Sequence, residues 1–131
     1  MKKMGILNAE IAAVVARMGH TDTLCIADAG LPIPPGPQRI DLAVRPGLPG
    51  FLDVLAAVLE ELTVERVIVA SEMVSTSPEL YRQLVAQLGD VPVETVLHTE
   101  FKQRTASCKA VVRTGEFTPY ANVILVSGVT F

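Results

Sequence analysis

The sequence predicts an α/β fold in which helices cover both faces of a mixed, largely parallel sheet, giving three layers. Three observations lead to this expectation. Segments with apolar residues at helical spacing alternate with short β-branched runs, which is typical of strands linked by helices. The chain has 131 residues, of which 50% are hydrophobic, and this suffices for one core. No internal repeat, linker or low-complexity segment divides it, so we expect a single domain over residues 1–131.

The first predicted helix begins at Asn8, whose side chain can accept a hydrogen bond from the free N–H groups of the first turn. Gly19 is the expected end of this helix. A buried strand is predicted at 23–27, followed by a stiff loop rich in proline at 29–38 and a second strand at 40–44. The apolar face of the helix consists of Ile11, Val14, Val15 and Met18.

The second half of the chain continues the alternation. The motif Ser77-Pro78-Glu79 predicts a helix start, with a cap, a proline at the first helical position and an acid in the first turn; Gly89 ends this helix. Further strands are predicted at 64–70, 91–97, 110–113 and 122–126, and a short helix is predicted from Thr99 to Ala106. A helix after Gly50 has the apolar stripe Leu52, Leu55, Leu59 and Leu62.

Composition argues against several function classes. The net charge is −3 and the eleven basic residues are scattered, which disfavours a nucleic-acid groove. No apolar run approaches the roughly 18 residues of a membrane span, and polar residues interrupt the first segment before a signal peptide can form, so we expect a cytoplasmic protein. The two cysteines form no CxxC pair, and no nucleotide-binding, zinc-protease or serine-hydrolase motif occurs. The surplus of apolar residues favours a homo-oligomer.

Two histidines and one aspartate are candidates for chemistry. Asp28 and His98 each follow an apolar run, and ligands of α/β proteins tend to bind beyond the carboxyl ends of strands. His20 lies between a helix end and a strand start, in a turn that can aim a side chain at the end of the sheet. A histidine can both accept and donate a proton near neutral pH. The alternative for each histidine is a capping or surface imidazole.

Two further groups can contact a small polar ligand. Lys102 lies four residues after His98, so both can point to one side of a short helix, although a solvated lysine is the alternative. Tyr120, Ala121 and Asn122 follow Pro119 on a turn that leads into a strand. A tyrosine can lie along the apolar face of a sugar while its hydroxyl and a nearby amide bind ring hydroxyls. Packing of the tyrosine at a subunit contact is the other reading.

Four long segments resemble one known family. They are GILN at 5–8, GHTDTLCIADAGLPIP at 19–34, HTEFK at 98–102 and RTGEFTPYANVILVSGVTF at 113–131. Together they make nearly the whole chain similar to the ribose pyranase and fucose mutarotase family. The stretch GLPIP is closer to the ribose branch.

The resemblance implies an isomerase that interconverts the pyranose and furanose forms of D-ribose with no cofactor and no metal. It implies that His20 is the catalytic acid. It also implies rings, commonly a decamer of two stacked pentamers, with sites between neighbouring subunits. From the scattered charge and the short apolar runs we expect no nucleic-acid partner and no membrane partner. Alternatives are a mutarotase for fucose or another aldose, a non-catalytic sugar-binding accessory protein, and a metal-dependent hydrolase. The implied sugar-binding residues are Asp28, His98, Lys102, Tyr120, Ala121 and Asn122.

Overall fold

A six-stranded sheet forms the centre of the computed structural model, which describes all 131 residues. The strands are β1 Thr23–Ala27, β2 Gln38–Asp41, β3 Val64–Ala70, β4 Val93–Val96, β5 Ala110–Arg113 and β6 Val123–Ser127. Their spatial order is β2-β5-β1-β6-β3-β4. The pairs β1·β5, β2·β5 and β3·β4 are parallel, whereas β6 runs antiparallel to both of its neighbours, β1 and β3. The predicted mixed, largely parallel sheet is therefore confirmed.

There are five α-helices, of which the first precedes β1 and the others lie between strands: α1 Ala9–Arg17, α2 Phe51–Leu59, α3 Ser71–Thr76, α4 Pro78–Leu88 and α5 His98–Arg104. The predicted cap of α1 is confirmed, because Asn8 Oδ1 accepts a hydrogen bond from the backbone N–H of Ile11 at 2.9 Å. The helix α4 begins at Pro78 as predicted, but Ser77 does not cap it; its hydroxyl donates instead to the carbonyl of Pro119 at 2.7 Å. None of the helices combines the length and apolar character that crossing a bilayer requires.

The two faces of the sheet carry separate apolar clusters, which confirms the three-layer arrangement. The larger cluster, of 22 buried residues, packs α1, α2 and α4 against one face. The smaller, of 10 buried residues, packs Phe101 of α5 and Leu31 against the other. Neighbouring strand residues alternate between the clusters, as the period of a strand requires: Leu24 and Ile26 belong to the first, Cys25 and Ala27 to the second. Full burial of a Leu or Ile side chain stabilises the fold by about 1.5–3 kcal/mol.

Further local expectations are wrong. β2 begins at Gln38 rather than at residue 40, because its ladder with β5 starts with the pair Gln38 and Ala110. The sequence does not predict the helix α3, because six residues are too few to show a helical spacing of apolar residues. The predicted stripe of α2 has the wrong phase, because this helix is apolar on most sides and ends at Leu59. The residues of α2 that are buried are Phe51, Val54, Leu55 and Val58.

Candidate functional site

Most of the predicted site residues lie at one edge of the sheet, where strands end. The carboxyl ends of β1, β3, β4 and β5 lie there, and the antiparallel β6 starts there. We call it the carboxyl edge. Asp28 directly follows β1, His98 follows β4, and Asn122 directly precedes β6. The topology therefore brings together residues that are up to 94 positions apart in sequence.

Asp28 and Asn122 form a fixed pair at this edge. Asn122 is fully buried; its Nδ2 donates to Asp28 Oδ2 at 3.0 Å, and its Oδ1 accepts from the backbone N–H of Asp28 at 2.8 Å. Asp28 Oδ1 also accepts from the backbone N–H of Gly30 at 2.9 Å. These bonds hold the carboxylate in one orientation beside an open cleft of about 360 Å³. The cleft is lined in part by Asp28, Gly30, Arg113, Glu116 and Thr118.

His98 and Tyr120 contact each other at the same edge. Their ring centroids lie 5.0 Å apart in an edge-to-face arrangement, with 79° between the ring planes. The backbone N–H of His98 donates to Glu72 Oε1 at 3.0 Å and Oε2 at 3.1 Å. Nδ1 of His98 is buried and has no hydrogen-bond partner. Because buried polar atoms normally have a partner, this nitrogen is suited to a ligand hydroxyl.

The remaining predicted residues flank this contact. Tyr120 has φ 60°, the left-handed region that a bulky residue rarely adopts. Ala121 is fully buried behind it. Lys102 is exposed on α5, one helical turn beyond His98, so it can face a ligand bound near the imidazole.

Glu116 ties the loop between β5 and β6 to the start of α2. Its Oε1 accepts from the backbone N–H of Phe51 at 3.0 Å, and its Oε2 accepts from the Thr118 hydroxyl at 2.8 Å. Partial burial acts to raise the pKa of Glu116, but these donors outweigh it and lower the pKa below that of a free glutamate. The neighbouring Gly115 approaches the backbone of Leu48 so closely that a Cβ would overlap its carbonyl oxygen. Both contacts hold the loop that carries the Tyr120 turn.

Replacing Glu116 by glutamine is expected to lower the free energy of unfolding by about 1–3 kcal/mol at pH 7, because one charged acceptor is lost. Since the folded pKa of Glu116 is lowered, its contribution is complete above the unfolded value and disappears as the pH falls through the folded value. The difference between Glu116→Gln and the native protein should therefore shrink below about pH 4. Urea unfolding at pH 7 and pH 3 measures it. A difference that stays constant would contradict this role.

His20 lies at the opposite edge of the sheet, in the turn that precedes β1. Its side chain is 53% exposed, and Nε2 lies 2.8 Å from Glu65 Oε2. A cleft of about 490 Å³ is lined there by His20, Gly128 and Phe131, among others. The five residues of β1 span about 16 Å between this turn and Asp28. Within one subunit, the structure therefore does not bring His20 together with the other predicted site residues.

Sequence reasoning missed three glutamates around these residues. Glu72 and Glu116 follow β3 and β5 at the carboxyl edge, so the rule that selected Asp28 could have found both. Glu65 lies inside β3 and carries no comparable signal. Its position depends on a shift in the pairing of β3 with β6 between Val64 and Arg66, which the sequence does not reveal.

Neither cysteine is suited to nucleophilic chemistry. Cys25 and Cys108 are both free and buried. Burial raises the pKa of both thiols, which disfavours the reactive thiolate. No group of three or more His, Cys, Asp or Glu side chains lies close enough together to bind a metal ion.

Comparison with known proteins assigns the chain to a family. The model of the RbsD / FucU transport protein family matches residues 1–130. The chain belongs to this family. Within the RbsD / FucU family, a D-ribose pyranase of Bacillus cytotoxicus is 54% identical over 131 residues, which cover all of both chains. A D-ribose pyranase of Geobacillus thermodenitrificans is also 54% identical, over all of this chain and 99% of its own length. The resemblance inferred from the four sequence segments is confirmed.

Solved structures of the RbsD / FucU family agree with the fold. Bacillus subtilis RbsD, solved as a complex with D-ribose, superposes with a TM-score of 0.97 at 50% identity, and the match covers all of both chains. A fucose mutarotase of Streptococcus pneumoniae, in complex with L-fucose, has a TM-score of 0.73 at 22% identity over 95% of each chain. The second likeness supports the shared fold alone.

Proposed function

We propose that this protein is an isomerase that interconverts the pyranose and furanose forms of D-ribose. One observation carries the proposal: the full chain matches D-ribose pyranases at 54% identity and an RbsD structure that contains D-ribose. The carboxyl edge fits this substrate class. It offers a fixed carboxylate, an unpaired buried imidazole nitrogen and an aromatic ring, groups that bind sugar hydroxyls and the apolar face of a sugar.

The reaction breaks one C–O bond and forms another, and proton transfers are the only help that it requires. In the pyranose, C1 is bonded to the C5 oxygen; opening removes the proton of the C1 hydroxyl and protonates the C5 oxygen as its bond to C1 breaks. The product is the open aldehyde. Closure to the furanose reverses these steps with the C4 hydroxyl, which attacks C1 and loses its proton while the carbonyl oxygen gains one. A general acid–base residue typically contributes about 10²- to 10⁴-fold to such a reaction.

We assign the proton transfers at C1 and the ring oxygen to His20. Asp28, oriented by Asn122, accepts a hydrogen bond from a ribose hydroxyl. His98 binds a second hydroxyl through Nδ1, and Tyr120 lies against the sugar ring. Lys102 contributes a further hydroxyl contact, and buried Ala121 belongs with Tyr120 and Asn122 to the segment that binds the sugar.

These roles require two subunits for each site. His20 and Asp28 lie at opposite ends of β1, about 16 Å apart, which is too far for one pentose to bridge. Head-to-tail packing of identical subunits would bring the His20 turn of one copy to the carboxyl edge of the next, and repetition of such a contact closes a ring. Exposed apolar residues occur at both edges, among them Phe131 and Val129 near His20 and Leu97 and Phe117 at the carboxyl edge. We propose a decamer of two pentameric rings.

A cytoplasmic location agrees with the two free, buried cysteines, because reducing compartments keep thiols unpaired. There the isomerase would act on ribose after its uptake. The same proton transfers would open the ring of another aldose, such as fucose, because they involve only the C1 hydroxyl and the ring oxygen.

The test is whether catalytic amounts of the protein speed the exchange between ring forms. Saturation-transfer NMR of D-ribose should show pyranose–furanose exchange that rises in proportion to enzyme concentration at sub-stoichiometric levels. The rate should be unchanged in the presence of a chelator. A protein that only sequesters ribose cannot accelerate exchange of the free sugar, so an unchanged rate would reject the isomerase. A parallel measurement with L-fucose decides between the two sugars.

A further inference from the structure

Glu65 is the side chain that contacts the imidazole of His20. Its Oε2 lies 2.8 Å from Nε2 of His20, and the two residues are 45 positions apart in sequence. The Nδ1 atom of His20 makes no hydrogen bond to another side chain or to the backbone. The contact therefore fixes one ring nitrogen and leaves the other available.

Two local irregularities of the backbone make this contact. Val64 pairs with Ser127 and Arg66 with Val126, so Glu65 is the extra residue of a β-bulge in β3. A bulge re-aims a side chain that regular pairing would direct elsewhere. Thr21, next to His20, has φ 70°, a conformation that is unfavourable for a β-branched residue. The bulge positions the carboxylate of Glu65, and the turn at Thr21 positions the imidazole of His20.

Close packing behind the bulge restricts where Glu65 can lie. A Cβ on Gly128 would approach the Cβ of Glu65 to 3.2 Å and its backbone nitrogen to 3.4 Å. The backbone N–H of Gly128 also donates to the carbonyl of Thr63 at 2.8 Å, which secures the start of the bulge. Gly128 therefore packs closely against the backbone and Cβ of Glu65, from which the carboxylate extends.

The contact contributes little to the stability of the fold. The side chains of His20 and Glu65 are 53% and 39% exposed, and exposed ion pairs typically contribute about 0–1 kcal/mol. Strained backbone at a non-glycine residue costs on the order of 1–3 kcal/mol. Because the strain at Thr21 is at least as large as the expected gain from the pair, the arrangement is better explained by a demand on the orientation of the imidazole.

We propose that Glu65 is a positioning residue for His20: it accepts a hydrogen bond from Nε2–H and so presents Nδ1 as the nitrogen that exchanges protons with the sugar. The inference rests on the proposed ring isomerisation. In the neutral imidazole only one nitrogen carries the proton, and a carboxylate on Nε2 selects the Nε2–H tautomer. Nδ1 is then unprotonated in the neutral ring and can accept the proton of the C1 hydroxyl. Once protonated, it can deliver that proton to the ring oxygen.

The expected result for Glu65→Gln is a fall in kcat of about 10- to 100-fold, a part of the total help that a general acid–base residue supplies. KM should stay within about twofold, because Glu65 acts through His20 and does not bind the sugar. Glu65→Asp should recover part of the rate. Glu79→Gln is the matched control: it removes another exposed carboxylate from an ion pair, in the first turn of α4, from a residue that has no assigned part in binding or proton transfer, and should leave kcat unchanged.

A second measurement needs no variant. Nitrogen-15 NMR of histidine-labelled protein distinguishes a protonated from an unprotonated ring nitrogen, and the chain has only two histidines to assign. At a pH where the ring is neutral, His20 should carry its proton on Nε2, and this preference should weaken in Glu65→Gln.

The outcomes separate this inference from the proposed function. If the native protein fails to speed ribose exchange, the isomerase assignment is rejected. The NMR measurement of the His20 tautomer then still tests whether Glu65 accepts a hydrogen bond from Nε2–H. If the native protein is active but Glu65→Gln retains its kcat, Glu65 is not a positioning residue. A neutral His20 with its proton on Nδ1 would overturn the assignment of the two nitrogens.

Discussion

Replacing His20 by alanine is expected to slow the exchange of ribose ring forms by about 10²- to 10⁴-fold, since the general acid–base residue is removed. The fold should survive. The imidazole is 53% exposed and its one side-chain bond is to an exposed carboxylate, so truncation opens no buried cavity. Saturation-transfer NMR at equal protein concentration measures the loss.

The same variant should retain most of its affinity for D-ribose. The groups assigned to binding lie at the other edge of the sheet, and their mutual contacts do not include His20. Calorimetry and thermal unfolding provide the two controls. An exchange rate equal to that of the native protein would remove His20 from the mechanism, whereas loss of both binding and melting transition would show that the residue is structural.

Most of the fold could be predicted because local patterns and tertiary packing agree. The limits of β1, β3 and β5 match the prediction to the residue, since short runs of β-branched and apolar residues bounded by polar ones leave few alternatives. Where a segment is apolar on several sides, the periodicity has no fixed phase, and for that reason the predicted stripe of α2 differs from the buried one. The short α3 and the register of β2 depend on neighbouring strands and not on local sequence.

The candidate site was predictable where it follows from strand order. Asp28 and His98 each follow an apolar run that predicts a strand, and both lie at the carboxyl edge. Glu72 and Glu116 satisfy the same rule, because they follow β3 and β5. For Glu65 no sequence rule would have sufficed, because its direction is set by a bulge that exists only when β3 pairs with β6.

The separation of His20 from the carboxyl edge is a consequence of the topology. The turn before β1 and the loop after β1 must lie at opposite ends of that strand, whatever side chains they carry. A sugar site that uses residues from both ends therefore needs a second copy of the chain, unless the two ends belong to different sites. An experiment that mixes subunits can distinguish these two arrangements.

Co-expression of two inactive variants is expected to restore activity. His20→Ala lacks the proton-transfer group, and a double variant with Asp28→Asn and His98→Asn lacks the groups at the carboxyl edge. If each site takes His20 from one subunit and the carboxyl edge from its neighbour, random mixing leaves about a quarter of the sites with both halves intact. Exchange in mixed oligomers, isolated through two different tags, should reach about that fraction of the native rate.

The matched control combines His20→Ala with a chain that carries all three substitutions. No subunit in that mixture supplies His20, so the exchange rate should remain at the level of the inactive variants. Failure of the first mixture to recover, in oligomers shown to contain both chains, would exclude a site shared between neighbours. Recovery demands two subunits at each site, because neither chain alone carries both intact edges.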